Sequence, residues 1–325
     1  MKEFQFVQKN ENLWKDIEKF LNGETHITPD KLAEFYTRIV NDLSYVQTFY
    51  PKSQLVNYLN NLSSNLHRRV YKTKKEDSLR FVTFWTDEIP LAIRQCHREL
   101  LISLIIFVIA IGIGAVSTYI DPDFPRVILG DYYVDMTLNN IDNGDPMAVY
   151  RDENRSSMFL AIGSNNLRVG LLSFVLGLIA PFLAGFILLS NGVMVGAFQG
   201  MFISLGLGWV SFSTIFIHGA LELSAIVIIA GAGISIGNSW WYPKTYRRID
   251  SLILGARKAI KVLIAVIPVI IYAAFIESYV THLYQEIGSF FRALIIIFFF
   301  SYIFWYFIYL PIQVEKKLKM LHERV

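Results

Sequence analysis

The chain is 325 residues long, 54% of its residues are hydrophobic, and its formal net charge is +3. Several separate apolar runs are typical of a protein that crosses a membrane more than once. The composition excludes a small secreted domain held by disulfides, because Cys96 is the only cysteine. The first residues contain no apolar segment typical of a cleavable signal peptide, so the first span is expected to direct membrane insertion.

Residues 1–95 are predicted to form a soluble helical domain. Thr28 and Pro29 indicate a helix start, because a hydroxyl group caps the first N–H groups and proline fits the first turn. A second amphipathic helix is predicted to begin near Ser53. Residues 80–93 mix aromatic and charged side chains, which predicts either a helix at the membrane–water boundary or a core helix of the soluble bundle.

Six later segments are apolar enough to be predicted as membrane spans. They are residues 100–119, 167–189, 193–207, 211–237, 262–281 and 293–312. A turn at Ser190–Gly192 is predicted to separate the second span from the third, and Pro181 is expected to kink the second. The third, at about 15 residues, is below the usual spanning length and is expected to be short or broken.

The distribution of charge predicts the orientation of these spans. Residues 120–160 form a loop that is rich in aspartate and contains no lysine. Because basic flanks remain in the cytoplasm, this acidic loop is predicted to be external and both termini cytoplasmic. The predicted fold is an all-α polytopic membrane helix bundle with a soluble N-terminal helical domain. The basic flanks include Lys72, Lys74, Lys75, Arg94, Arg98, Lys244, Arg247, Arg248, Lys316, Lys317 and Lys319.

Glycine is concentrated in the middle spans. Gly192, Gly196 and Gly200 recur every four residues and therefore share one helix face. Without side chains on that face, two helix backbones can approach closely, so these glycines are predicted to pack helices together, as is Gly219. The alternative is a discontinuous helix that lines a binding site, as in transporters.

His218 and Glu222 lie four residues apart in the fourth span and therefore point the same way. A charge at the centre of a spanning helix costs roughly 2.5–3.5 kcal/mol, so these side chains need partners or water. Glu277 lies near the outer end of the fifth span, at a depth where it could meet His218. Asn166, Asn191 and Gln199 are further polar residues in or beside apolar runs, and are assigned to the same intramembrane polar cluster.

Three interpretations of this cluster remain open. It could be a packed polar group that fixes helix register, a proton or ion path, or a metal site formed by His218, Glu222 and Glu277. The chain contains no HExxH motif, phosphate-binding loop or Rossmann glycine pattern. No catalytic residue or cofactor is predicted, and nothing favours nucleic-acid binding.

The segment FIHGALELSAIVIIAGAGISIG, residues 216–237, resembles the HG-x-x-E segment of the stage II sporulation protein M family. Other segments agree with the resemblance in the same order along the chain. They are TFYPKSQLVNYLNNLSSNLHRRVY, FVTFWTDEIP, NNLRVGLLSFVLG, LLSNGVMVGAF and AAFIESYVT. By position, the histidine and glutamate of that family correspond to His218 and Glu222, and its late glutamate to Glu277.

The resemblance implies an integral protein of the bacterial cytoplasmic (inner) membrane. The family's namesake anchors peptidoglycan-degrading enzymes during sporulation, and many relatives occur beside a MoxR-type ATPase. This chain departs from the namesake in its N-terminal helices, so a sporulation role is not inferred. The leading hypothesis is a non-enzymatic envelope scaffold; the alternatives are a transporter or proton-coupled channel and an intramembrane metalloenzyme. The expected partners are the lipid bilayer, a cytoplasmic protein or envelope enzymes, and further copies of the chain.

Overall fold

The structure is a computed structural model, and every regular element in the residues that it describes is helical, as predicted. The charged turn at residues 72–77 and the loop residues Arg151, Asp152 and Glu153 lie outside those residues. The chain divides into two compact units, Met1–Arg80 and Phe81–Val325. The described residues are 2–25, 27–70, 80–150 and 154–322.

The described part of the first unit, before residue 71, forms three helices around its own core. These are α1 (Glu3–Leu21), α2 (Pro29–Phe49) and α3 (Gln54–Val70). The predicted start of α2 is confirmed, because the Thr28 side chain accepts a hydrogen bond from the Lys31 N–H at 3.4 Å. The amphipathic faces of the three helices meet around fully buried apolar side chains, which makes this unit a folded body in its own right. The core includes Trp14, Ile17, Ile39, Val46, Leu59 and Leu66.

The helix expected at residues 80–93 is continuous with the first spanning helix. α4 (Arg80–Thr83), a π turn at Phe84–Glu88 and α5 (Ile89–Ile120) form one continuous helix. It is not part of the core of the soluble bundle, because the second unit begins at Phe81 and not after residue 95. Ile89 and Ile93 are buried in the core of that second unit, which explains why the division comes earlier than predicted.

The first π turn lies just before a proline, Pro90. In the π register the Trp85 carbonyl would accept from residue 90, but Pro90 has no N–H. The Tyr306 hydroxyl instead donates to that carbonyl at 3.0 Å. Tyr306 lies in a second π turn, Trp305–Tyr309, that is also followed closely by a proline, Pro311. The two π turns therefore hold the first and last spanning helices together.

Within the described residues, six helices are long and apolar enough to cross a membrane, as predicted. Two short helices, α6 (Phe124–Leu129) and α7 (Asp131–Asp142), lie in the acidic loop. After the first spanning helix, Arg80–Ile120, come α8 (Arg155–Ile179), α9 (Pro181–Ser204), α10 (Gly208–Trp241) and α11 (Arg248–Tyr279). The sixth combines α12 (Ser289–Phe304), the second π turn and α13 (Leu310–His322).

The break between the second and third spans lies at Ala180–Pro181, not at Ser190–Gly192. Ala180 is extended, with φ −155° and ψ 129°, because a proline disfavours helical geometry in the residue before it. Pro181 is therefore the first residue of α9 instead of a kink within the second span. The Asn191 side chain donates to the Ile187 carbonyl of its own helix at 2.8 Å. The polar residues Ser190 and Asn191 therefore do not end the helix. α9 is consequently 24 residues long, enough to span.

The glycine face of α9 lies against α5. A Cβ on Gly196 would overlap the Ile111 carbonyl oxygen, and a Cβ on Gly192 would lie 2.6 Å from the Ala110 Cβ. Gly200 approaches Thr118 in the same way. Gly219 does not belong to this group, because a Cβ added there would meet only side chains of its own helix, the closest at 3.4 Å.

Candidate intramembrane polar site

His218 lies on α10, the most buried of the spanning helices, and only 3% of it is exposed. Its Nδ1 lies 3.0 Å from the Thr281 hydroxyl, just beyond the end of α11. That hydroxyl donates to the Ile276 carbonyl at 3.3 Å. When that hydroxyl donates to Ile276, it accepts from His218 Nδ1, and the neutral ring then carries its proton on Nδ1 and its lone pair on Nε2.

Glu277, on α11, lies on the Nε2 side of His218. Its Oε1 is 3.7 Å from Nε2, and 13% of its side chain is exposed. Glu222 lies one turn after His218 on α10, and one ligand atom from each of the three residues falls within 4.8 Å of the other two. The structure thus brings together an imidazole and two carboxylates from two adjacent spans.

Asn166 joins this group from α8, and Asn191 and Gln199 do not. Asn166 is 5% exposed, and its amide faces the Glu222 carboxylate. Its Nδ2 completes no hydrogen bond with any residue in the described ranges. Asn191 is bonded to its own helix, and the buried Gln199 Nε2, on α9, completes no hydrogen bond within the described ranges. Contacts therefore connect four of the six predicted residues, namely His218, Glu222, Glu277 and Asn166.

The acidic loop packs over the end of the bundle where Glu277 lies. Tyr133, on α7, is half-buried, and burial together with the nearby Glu277 carboxylate raises the pKa of its hydroxyl. Tyr284, between α11 and α12, donates to Asp145 of the loop, and its ring packs with Val134 and Met147. Burial and the Asp145 carboxylate raise the pKa of Tyr284. These contacts reduce the access of water to the site from this end.

Sequence reasoning missed Thr281, Tyr133 and Arg292. Thr281 lies outside the fifth helix and 63 residues from His218, so no helical spacing connects them. Arg292, on α12, donates to the Thr214 hydroxyl at 3.1 Å. Thr214 is four residues before His218, so Thr214, His218 and Glu222 form one stripe on α10. The four-residue spacing could have indicated Thr214 from the sequence alone, because it extends the polar stripe by one turn before His218.

This arrangement can hold a cation or a proton. Two carboxylates that lie this close and are largely shielded from water are costly to keep charged together without a positive species between them. Imidazole nitrogen and carboxylate oxygen are both ligands of zinc, and both recur in proton relays within membranes. The four residues come from three helices, so whatever they hold also joins α8, α10 and α11.

Two family models match parts of this chain. A family model described as Stage II sporulation protein M matches residues 103–282, more than half of the chain and a range that contains the whole site. A domain of unknown function (DUF8413) matches residues 4–72 in the first unit. Searches of curated proteins and of solved structures found no match.

Proposed function

The chain belongs to the stage II sporulation protein M family, and we propose that it is a non-enzymatic scaffold of the bacterial cytoplasmic membrane. It is a multi-pass membrane protein, and its described residues contain six candidate spanning helices. The observation that carries the proposal is the separate first unit, with its own core, attached to a closely packed helix bundle. A folded module fixed to a membrane bundle can hold a soluble partner at the membrane.

The first unit offers a surface for such a partner. Phe4 is 75% exposed and Phe49 is 61% exposed. Exposed aromatic side chains of this size are enriched in the central contacts of protein interfaces. By analogy with relatives in the family, the partner is a MoxR-type ATPase in the cytoplasm, with envelope enzymes meeting the acidic loop on the other side.

The proposed orientation places the first unit and both termini in the cytoplasm. It rests on charge: in residues 120–150 six aspartates accompany a single arginine. The opposite ends of the spans carry Lys244, Arg247 and Arg248, which the positive-inside rule assigns to the cytoplasm.

Affinity purification of the full chain from native membranes tests the scaffold role. We expect a reproducible cytoplasmic partner with the wild type and its loss with Phe4→Ser combined with Phe49→Ser. Exposed Tyr132→Ser, in the acidic loop, is the matched control and should keep the partner. Failure to recover any reproducible partner at native expression contradicts the proposal.

We propose further that the bundle assembles with copies of itself. Arg168 is exposed on α8, about 20 Å from the start of that helix at 1.5 Å per residue. Asn165 on the same face is also exposed. An arginine that faces lipid in the middle of a span is unfavourable, and a second copy could cover it. Cross-linking of Asn165→Cys in a Cys96→Ala background should give dimers; a monomer by native mass spectrometry in nanodiscs contradicts this.

A transporter or proton-coupled channel is the second candidate function. The observation that favours it is the convergence of His218, Glu222 and Glu277 within the spans. It predicts proton or ion flux in liposomes that falls with His218→Ala and Glu222→Gln. Flux that neither substitution changes removes this candidate and leaves the scaffold proposal untouched.

A further inference from the structure

The hydrogen bond between His218 and Thr281 creates a conflict on the other side of the imidazole ring. Because Nδ1 carries the proton of the neutral ring, the Nε2 lone pair faces Glu277 Oε1 at 3.7 Å. A lone pair and a carboxylate oxygen repel each other unless a positive species lies between them. A proton or a metal ion between the two atoms would remove this repulsion.

The three ligand atoms are spaced for a metal ion. Three atoms within 4.8 Å of one another share a centre no farther than about 2.8 Å from each. Zinc takes histidine nitrogen and carboxylate oxygen at about 2.0–2.2 Å. Each ligand atom would have to move less than about 1 Å to come from 2.8 Å to the zinc–ligand distance. Rotation of the two flexible carboxylate side chains allows this movement while both helix backbones stay in place.

Charge favours a dication over a single proton. Two carboxylates and a neutral imidazole carry two negative charges, and an uncompensated charge in this buried site is costly. One divalent ion neutralises both, whereas one proton leaves a net negative charge. Two protons would also neutralise the pair, and they are the competing outcome of the experiment.

The surrounding residues match the second layer of contacts that metal sites use. A ligating histidine normally donates its other ring N–H to an oxygen, and the Thr281 hydroxyl lies 3.0 Å from His218 Nδ1 for that contact. Ligating carboxylates are also held by hydrogen bonds, and the buried Asn166 amide faces Glu222 with its Nδ2 unpaired in the described part of the chain. A small rotation of Glu222 toward a metal ion is compatible with that contact.

We propose that His218 Nε2, Glu222 and Glu277 bind one divalent transition-metal ion of the zinc class, which cross-links α10 to α11. Mixed imidazole and carboxylate ligands suit zinc and its first-row neighbours more than magnesium or calcium. The ion would stabilise the bundle whether or not the chain acts as a scaffold, so this inference does not rest on the proposed function.

The test uses Zn²⁺ with the full-length protein in nanodiscs. After removal of bound metal with a chelator, Zn²⁺ is titrated and its content measured by elemental analysis. We expect one zinc per chain and a higher melting temperature with zinc than without it. Glu277→Gln and Glu222→Gln should each weaken zinc binding at least about 10-fold. Glu99→Gln is the matched control, because Glu99 lies on α5 and accepts from Asn238, away from the site.

Zinc binding that is equal in the wild type and Glu277→Gln overturns the proposal, as does wild type that retains no zinc. Either result would mean that protons, and not a metal ion, neutralise the Glu222 and Glu277 carboxylates. If a substitution prevents folding, the wild type with Co²⁺ decides: a visible absorption band of four- or five-coordinate cobalt supports the site, and its absence overturns it. None of these readouts depends on a partner, so the scaffold proposal is tested separately.

Discussion

The half-buried carboxylate of Asp42 makes the stability of the first unit depend on pH. Burial raises the pKa of Asp42, and the hydrogen bond from the Trp14 indole, 2.8 Å long, opposes that rise together with nearby Arg38 and Lys9. A carboxyl group whose pKa is higher when folded binds its proton more tightly in the folded state. Its charged form therefore lowers stability above the raised pKa, and the cost disappears as the pH falls through that pKa.

Replacement of Asp42 by asparagine should remove this cost while keeping an acceptor for Trp14. In hydrogen exchange of the full chain, Asp42→Asn is expected to protect α1–α3 at least as well as wild type at pH 7. The difference should shrink as the pH is lowered toward about 4, near the ordinary carboxyl pKa. Asp16→Asn, at an exposed position on α1, is the control. Faster exchange of Asp42→Asn at pH 7 would show that the carboxylate is net stabilising.

The contact between α5 and α9 depends on the absence of side chains. A Cβ on Gly114 would overlap the Val193 carbonyl oxygen and lie 2.8 Å from the Ala197 nitrogen. These are backbone atoms, so they cannot move aside as a side chain can. At Gly112, two residues earlier, a Cβ would have nothing within 4 Å. Alanine substitutions at these two glycines therefore distinguish the effect of packing from the effect of helix propensity within one helix.

Gly114→Ala should destabilise the bundle by about 1–3 kcal/mol, the usual cost of overpacking. Gly112→Ala should leave stability unchanged or raise it slightly, since alanine is the better helix former. Thermal unfolding of both variants in the same detergent makes the comparison. Equal melting temperatures for the two would mean that α5 and α9 do not approach as closely as described.

The paired π turns provide a second test of the spanning helices. Tyr306→Phe removes the hydroxyl that donates to the Trp85 carbonyl, which Pro90 leaves without a backbone donor. The loss should cost about 1–3 kcal/mol, because a buried acceptor is left unsatisfied. Tyr302→Phe is the control, since that hydroxyl forms no hydrogen bond within the described residues and its ring stacks on Tyr306. A larger effect of Tyr302→Phe would contradict this account of the π turns.

Hydropathy was sufficient to predict the number of spans, but not where they end. Ser190 to Gly192 has the composition of a turn in a soluble protein. Inside an apolar span the Asn191 amide bonds its own helix instead, and Pro181, which cannot continue a helix, makes the break. Helix periodicity placed His218 and Glu222 on one face. The contacts of His218 with Thr281 and of Glu222 with Asn166 join separate helices, and one sequence does not reveal such pairings.

The whole molecule, as proposed, presents its first unit to the cytoplasm and its acidic loop to the opposite side. That arrangement determines which partners each part can meet, and the charge bias on which it rests can be tested without any partner. Lys52, after α2, and Tyr132, on α7, are both exposed and provide one reporter on each side. Buried Cys96 is replaced by alanine so that each reporter is the only thiol.

Labelling of single-cysteine variants in spheroplasts with a membrane-impermeant maleimide is the most direct test of this arrangement. We predict that Tyr132→Cys reacts in intact spheroplasts, and that Lys52→Cys reacts only after the membrane is permeabilised. Reaction of Lys52→Cys in intact spheroplasts, with Tyr132→Cys protected, would contradict the proposed orientation and with it the cytoplasmic scaffold.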